Sequence, residues 1–207
     1  MTRPRPVLLR EFDDRSPAPE ETETATFALG CFWGPDAEFA AVDGVVRTRV
    51  GYAGGTEPDP TYHSLGDHTE TIQVDYDPGA CSYRDLLEIV FRSHNPRTTV
   101  KKVQYQNIVF TDSEAQRETL DAFLEERGLD PDSLGTRFEA LERFYPAEAY
   151  HQKYNLKSKR WVTNAFQEAG YSPEDVRESP AAAVLNAHVS GHDVEAPRLL
   201  DDNPSQT

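Results

Sequence analysis

The chain has 207 residues, of which 37% are hydrophobic, and this is enough to build the core of one domain of ordinary size. Its 36 acidic and 21 basic residues give a net charge of −15, which makes nucleic acid and anionic lipid unfavourable partners. The sequence contains no apolar run of about 18 residues, and its start (MTRPRPVLLREFDDRSP) has no long apolar stretch, so we expect a soluble cytoplasmic protein without a membrane span.

The first half of the chain predicts an arm followed by alternating strands and helices. Residues 1–24 are rich in Pro, Glu, Asp and Thr, which predicts a mobile acidic arm. The apolar run ATFAL predicts a buried strand that Gly30 ends, and CFWGPDAEFAAV has helical character. The segments VVRTRVGY and HTETIQVDY alternate apolar and polar residues, as strands of one sheet do.

The second half continues this mixture. Ser82 and Asp85 have the spacing of a capping box at the start of a helix, VQYQNIVF and TRFEALERFY are strand candidates, and DSEAQRETLDAFLEERG is a strong helix. PAEAYHQKYNLKSKRWVTNAFQEAG is read as helical, and SPEDVRESPAAAVLNAHVSG as one more short helix. We predict an α+β fold, a two-layer sandwich in which helices pack on a mixed sheet. Residues 25–190 would form a single catalytic domain and residues 191–207 a disordered tail.

Cys31 stands where a strand and a glycine lead into a helix. Unpaired backbone N–H groups and the helix dipole stabilise a thiolate at such a position, which makes it a better nucleophile. Phe32 and Trp33 follow at once and would provide an apolar surface for a small apolar group. Taken alone, a cysteine in an apolar run is more often an inert core residue.

The chain has only two cysteines, Cys31 and Cys81. Two cysteines do not make a disulfide scaffold or a zinc site, which would need closely spaced pairs of ligands. Few thiols fit a reducing compartment, which agrees with the expected location.

Six segments occur in a familiar order: GCFWG, VGYAGG, PTY, GDHTE, QYQNIVF and FYPAEAYHQKY. In this order and spacing they resemble the type A methionine sulfoxide reductase family, from about residue 25 to about residue 155. The resemblance implies the family's α/β roll, with Cys31 as the nucleophile and with Phe32 and Trp33 holding the substrate's methyl group.

The resemblance also implies a set of groups around the sulfoxide oxygen. Tyr62 and Tyr105 would bind that oxygen, and Glu70 would supply a proton. A proton donor must be protonated, so an apolar setting should raise the pKa of Glu70. The product on Cys31 would be a sulfenic acid, and the S epimer would be the substrate.

Further expectations concern partners. The substrates would be oxidised proteins or peptides that carry methionine sulfoxide, and no metal or organic cofactor is implied. The C-terminal region lacks the recycling cysteines that many family members have, and Cys81 is interpreted as structural. We therefore predict a one-cysteine cycle in a monomer, in which thioredoxin or another external thiol reduces the Cys31 sulfenic acid.

The sequence departs from the family pattern before the QY segment, where TTVKKV stands. An aspartate that helps to position substrate is replaced by Val100 or a neighbour, and Lys101 and Lys102 bring positive charge to the site. His68 is either a partner of the catalytic groups or, more often for such a residue, structural; Asp67 and His151 are interpreted as structural.

Two other functions are alternatives. A cysteine hydrolase would need a Cys–His contact that orients a further Asn or Asp, with His68 or His151 as the candidate base. A binding module could recognise oxidised methionine without turnover. Thiol-dependent reduction that is lost in Cys31→Ser would distinguish the reductase from both.

Overall fold

A six-stranded mixed sheet lies at the centre of the computed structural model, which describes residues 4–194 and Leu199. The strands lie in the order β5-β4-β1-β3-β2-β6; β4 and β5 are parallel, and the other neighbours are antiparallel. This confirms the predicted α+β class. The strands are β1 (Glu23–Leu29), β2 (Val45–Ala53), β3 (Thr69–Tyr76), β4 (Asn107–Thr111), β5 (Arg137–Ala140) and β6 (Tyr145–Pro146).

Eight α-helices lie within the described residues, none of them long and apolar enough to cross a membrane. The structure gives two short helices, α7 and α8, where the sequence predicted one. The helices are α1 (Pro6–Arg15), α2 (Trp33–Phe39), α3 (Tyr83–Ser93), α4 (Glu114–Glu126), α5 (Tyr154–Lys157), α6 (Arg160–Glu168), α7 (Pro173–Glu178) and α8 (Pro180–Val189).

The main core lies between one face of the sheet and α2, α3 and α4. Alternation along β1 and β3 places Phe27, Ile72 and Val74 on this face, where they pack with Leu86 of α3 and other apolar residues. Ser82 begins α3 with the predicted capping box: its hydroxyl accepts from the N–H of Asp85, whose carboxylate accepts from the N–H of Ser82. The rigid sheet and these helices fix the loops at its end, where β1 leads into α2.

A second apolar cluster is formed by helices alone, and it corrects the prediction for residues 1–24. Within that predicted mobile arm, α1 is a regular helix whose Leu9 is fully buried with Phe166, Leu185 and Leu199. The prediction of a mobile arm is based on the many polar residues of this segment. The few apolar residues Leu8, Leu9 and Phe12, however, share one face of α1. Residues 1–3 lie outside the described part.

The predicted C-terminal elements differ from the observed ones. The segment 146–170 is not one helix: residues 149–153 form turns before α5 and α6, and Lys153 has a left-handed backbone with φ of 50°. Of the predicted disordered tail, residues 195–198 and 200–207 lie outside the described residues, whereas Leu199 is 1% exposed in the helical cluster. Leu199 is held in place by burial in the helical cluster, a contact that cannot be predicted from the local sequence.

Candidate active site around Cys31

Cys31 lies in the turn between β1 and α2, with its side chain exposed. Gly30 makes the turn with φ of +72°, a left-handed backbone that other residues adopt only at a cost. Phe32 is the N-cap of α2, so Cys31 precedes the helix rather than beginning it. The sulfur is therefore open to a ligand from solvent.

Glu70 is a buried acidic group next to Cys31. It lies on β3 opposite Tyr52 of β2 and is 1% exposed. Its Oε2 accepts from the N–H of Phe32 at 3.2 Å, and its Oε1 accepts from Nε2 of Gln104 at 2.7 Å. Burial raises the pKa of Glu70, and this effect outweighs the hydrogen bonds and the charge of Lys102, which lower it. A raised pKa fits the expected proton donor.

The Cys31 thiol lies close enough to the Glu70 carboxyl group for each to shift the pKa of the other, and this changes the expected ionisation. Burial raises the pKa of Cys31, the N–H of Trp33 lowers it, and the negative charge of Glu70 raises it again, with a net rise. The sequence argument counted only the helix terminus, whereas the structure adds burial and a neighbouring carboxylate. The resting cysteine is thus a thiol beside the carboxyl group of Glu70.

Two phenols complete this cluster. Tyr62, Glu70 and Cys31 all lie within electrostatic reach of the Tyr105 hydroxyl. Burial, followed by the charge of Glu70, raises the pKa of Tyr105, so its hydroxyl keeps the proton that it can donate. Tyr105 ends a 3-10 turn (Val103–Tyr105) before β4, not within the strand that the sequence predicted.

Glu148 fixes the loop that carries Tyr62. Its Oε1 accepts from the N–H of Tyr62 at 2.9 Å, and its Oε2 accepts from the hydroxyl of Tyr52 at 2.8 Å. Burial raises the pKa of Glu148, but the N–H of Tyr62 and the other donors outweigh it, so that the pKa is lowered. The ionised carboxylate therefore ties the Tyr62 loop to β2.

Aromatic rings form a wall beside Cys31. Phe32 is 2% exposed, and Trp33 stacks on Tyr154 with ring centroids 3.7 Å apart and planes at 6°. The His151 ring lies 5.2 Å from Phe32 and 4.7 Å from Tyr62, and neither of its nitrogens has a hydrogen-bond partner among the described residues. Burial lowers the pKa of His151, so the wall is uncharged at neutral pH.

His68 does not contact the catalytic cluster in the described hydrogen bonds. The N–H of Gly55 donates to its Nδ1 at 3.2 Å, and its Nε2 lies 2.7 Å from the carbonyl oxygen of Glu57. Asp67 accepts from the N–H of Thr56 at 2.8 Å. Both side chains hold the loop after β2, which agrees with the structural interpretation of His68 and Asp67.

The sequence argument did not single out Gln104, Glu148 or Tyr154. A signal was available for each, because Gln104 belongs to the QY segment and the other two to FYPAEAYHQKY. Their partners are distant in sequence, however, so their contacts could not be read from these segments. His151, interpreted as structural, forms part of the aromatic wall.

Cys81 lies at the other end of the sheet from Cys31. The antiparallel pairing of Glu23 with Tyr76 places the end of β3 that leads to Cys81 beside the start of β1, whereas Cys31 follows the end of β1. Six residues of strand separate these ends by roughly 20 Å, and a disulfide needs Cα atoms within about 7 Å. Burial raises the pKa of Cys81 to about 11, which also disfavours its thiolate.

No group of three or more potential metal-binding side chains occurs among the residues that the structure describes. The site therefore consists of a thiol, a carboxyl group of raised pKa, two phenols and an aromatic wall. Such a set can bind an apolar group, supply a proton and accept a bond at sulfur.

Comparison with known proteins gives a consistent assignment. The sequence profile of the family described as peptide methionine sulfoxide reductase matches residues 23–178. A peptide methionine sulfoxide reductase of Drosophila melanogaster is 39% identical over 171 residues, which cover 81% of this chain and 68% of the relative. Peptide methionine sulfoxide reductase MsrA of Methanothermobacter thermautotrophicus is 41% identical over 150 residues, covering 67% and 89%.

Solved structures are similar as well. Methionine sulfoxide reductase A of Corynebacterium diphtheriae aligns with a TM-score of 0.57 and 30% identity, covering 76% of this chain and 82% of that one. Reduced Mxr1 of Saccharomyces cerevisiae aligns with a TM-score of 0.59 and 29% identity, covering 69% and 89%. The similarity thus extends to the fold.

Proposed function

The chain belongs to the peptide methionine sulfoxide reductase family and is an oxidoreductase that reduces methionine sulfoxide, and from this premise we propose how its residues carry the reaction. Cys31 is the nucleophile, Glu70 is the proton donor, and Tyr62 and Tyr105 bind the sulfoxide oxygen. The observation that supports this most directly is the placement of the buried Glu70 beside Cys31, since its Oε2 accepts from the N–H of the next residue, Phe32, at 3.2 Å.

In the first step, the Cys31 thiol passes its proton to Glu70 as its sulfur bonds to the sulfur of the substrate. Glu70 then protonates the sulfoxide oxygen. The oxygen moves to Cys31 as its bond to the substrate sulfur breaks, leaving methionine and a Cys31 sulfenic acid. The cysteine sulfur loses two electrons and the substrate sulfur gains them, and the thiol proton ends on the sulfenic acid. The shared proton explains why a thiol of raised pKa can still act.

Tyr62 and Tyr105 donate to the oxygen as it gains negative charge, in the manner of an oxyanion hole. Phe32 and Trp33 hold the methyl group, and the stack of Trp33 on Tyr154 keeps the indole in place. The uncharged His151 behind these rings leaves that wall apolar. We propose the S epimer as substrate, first in peptides, with the free amino acid as a further candidate.

Recycling needs two equivalents of an external thiol. The first condenses with the sulfenic acid to a mixed disulfide and releases water, and the second releases Cys31 as a thiol. The position of Cys81 at the far end of the sheet supports a cycle without an internal disulfide. A thioredoxin or a small thiol in a cytoplasmic, reducing compartment would serve as the donor to a monomeric enzyme.

We also propose that residues 25–190 act as one catalytic unit. Asn186 of α8 donates to the buried Asp36 of α2 at 3.1 Å, which ties the C-terminal helix to the helix after Cys31. His68 would act only indirectly, by holding the loop after β2.

The test is turnover of a methionine-S-sulfoxide peptide with dithiothreitol, compared among the wild type, Cys31→Ser and Cys81→Ser. We expect Cys31→Ser to lose all measurable turnover because no sulfenic acid can form, whereas Cys81→Ser should retain it. Mass spectrometry after a single turnover without reductant should find one added oxygen on Cys31. A Cys31–Cys81 disulfide, or turnover by Cys31→Ser, would contradict the proposal.

A further inference from the structure

The segment from Arg92 to Thr111 has four basic residues and no acidic one, in a chain with 36 acidic residues. This acid-free segment ends in the turn that carries Tyr105 and the strand β4. Its lysines, Lys101 and Lys102, are both exposed. This stretch of positive charge therefore leads into the turn that carries Tyr105.

Lys102 is tied directly to the catalytic cluster. Its Nζ lies 4.3 Å from the centroid of the Tyr105 ring, and its charge lowers the pKa of Glu70. Among the described residues neither Lys101 nor Lys102 forms an ion pair with a carboxylate, although Arg84, Arg127 and Arg137 do. The Lys102 ammonium group at the Tyr105 ring and the exposed one of Lys101, the preceding residue, leave charge available for a ligand.

Two of the three other lysines are used differently. Lys153 and Lys157 donate to the backbone carbonyls of Thr48 and Ala149, and Lys153 is fully buried. Their charges are thus committed inside the fold. Lys101 and Lys102 instead immediately precede Val103, which is 39% exposed and gives the turn before Tyr105 an apolar patch.

We propose that Lys101 and Lys102 select polypeptide substrates in which acidic residues flank the methionine sulfoxide. This rests on the proposed function of Cys31 and names a substrate class for it. Adjacent residues of an extended chain are about 3.5 Å apart, so side chains on either side of a bound sulfoxide reach the rim beyond Tyr105. A polypeptide can cover Val103 as well as pair with the two ammonium groups, which a small anionic thiol is less suited to do.

The size of the effect follows from Coulomb's law. A carboxylate about 7 Å from an ammonium group in water gains roughly a threefold preference, so two pairings give about tenfold. Salt screens such exposed charges over about 8 Å at physiological ionic strength and over less at higher salt. The preference should therefore shrink in concentrated salt.

The experiment uses three acetylated and amidated pentapeptides with a central methionine-S-sulfoxide and with Glu, Gln or Lys on both sides. With dithiothreitol as the reductant, kcat/KM should decrease from the Glu to the Gln to the Lys peptide, with about tenfold between Glu and Gln at low salt. In the variant Lys101→Gln/Lys102→Gln this ratio should fall towards one. A ratio isolates selection, because any effect of Lys102 on the chemistry itself cancels between peptides.

Arg117→Gln is the matched control: Arg117 lies on α4, whose beginning is at the end of the sheet away from Cys31, and the ratio should stay at the wild-type value. Equal kcat/KM for the Glu and Gln peptides, or a ratio that the double variant keeps, would overturn the inference. So would a double variant that is impaired only when anionic mercaptosuccinate replaces dithiothreitol, because the lysines would then serve the donor. Failure of every peptide to be reduced would instead count against the proposed function.

Discussion

Two regions of the molecule contribute unequally to the proposed catalytic site. The sheet region (β1–β6 with α2, α3 and α4) carries Cys31, Glu70, Tyr62 and Tyr105, the groups that we propose touch the reacting atoms. The helical region (α1 with α5–α8) has its own apolar cluster and contributes mainly the Tyr154 ring behind Trp33. The difference shows that the proposed catalytic groups lie on loops and a strand end at one end of the sheet, while the helical region supports the site from behind.

One buried polar network joins the two regions. The Asp36 carboxylate of α2 accepts from the Thr48 hydroxyl at 2.6 Å and from Nδ2 of Asn186 in α8 at 3.1 Å, and lies 3.5 Å from Nζ of Lys153. Asn186 also accepts from the N–H of Leu156 in α5. Because α2 begins two residues after Cys31, this network connects the helical region to the site.

The largest expected effect lies in the sheet region, on Glu70. Glu70→Gln should lower kcat by about 10²–10⁴-fold, the range for losing a general acid. The same change should make Cys31 more reactive, because the negative charge of Glu70 raises the pKa of that thiol. Turnover and alkylation of Cys31 by iodoacetamide at pH 7 should therefore move in opposite directions.

The pH dependence sharpens this prediction. The reactive pair holds one proton, which rests on the Cys31 thiol, so the wild-type rate should fall at high pH as the pair loses that proton through the raised pKa of Cys31. This high-pH limb should disappear in Glu70→Gln. Glu142→Gln, an exposed carboxylate on the loop before β6, is the matched control and should change neither readout. A parallel loss of turnover and alkylation would assign Glu70 a purely structural role.

The next largest effect is expected from substitutions in the network that connects the two regions. Asp36→Asn leaves the ammonium group of Lys153 buried without a countercharge, which should lower the free energy of unfolding by about 3–5 kcal/mol. The double variant Asp36→Asn/Lys153→Met removes both charges and should recover most of that loss, since apolar residues replace a buried ion pair at little cost. Urea unfolding of the four proteins of this cycle measures the coupling. If the double variant is as unstable as Asp36→Asn, the pair is not what joins the regions.

The sequence could predict much of the sheet region because its signals are local. Gly30, Cys31 and the aromatics after them are contiguous, and alternation marks β1, β2 and β3. The family resemblance supplied the roles of Glu70 and the tyrosines. The ionisation of Cys31 could not be predicted in this way, because it depends on burial and on a carboxylate 39 residues later in the chain.

The helical region shows the opposite case. The apolar face of α1 packs on residues that follow far later in the chain, such as Phe166 and Leu185. Hydrogen bonds hold the same surface, because Arg10 donates to the carbonyl of Ala169 at 2.8 Å and the Tyr171 hydroxyl donates to Asp13 at 2.7 Å. Without knowledge of that partner surface, a short polar segment rich in proline resembles a mobile arm. Long-range burial, not local propensity, determines α1.

The smallest expected effect on catalysis tests this account of α1. Leu9→Ala should lower the free energy of unfolding by about 2–5 kcal/mol, because Leu9 is fully buried and the cavity cannot close completely. Val7→Ala on the same helix is the matched control: Val7 is 51% exposed, so the change should stay within about 0.5 kcal/mol. At temperatures where both variants are folded, kcat should equal that of the wild type, since α1 holds none of the proposed catalytic groups. Equal stability of the two variants would show that α1 is not anchored through Leu9. A fall in kcat would show that the helical region does more than support the catalytic site.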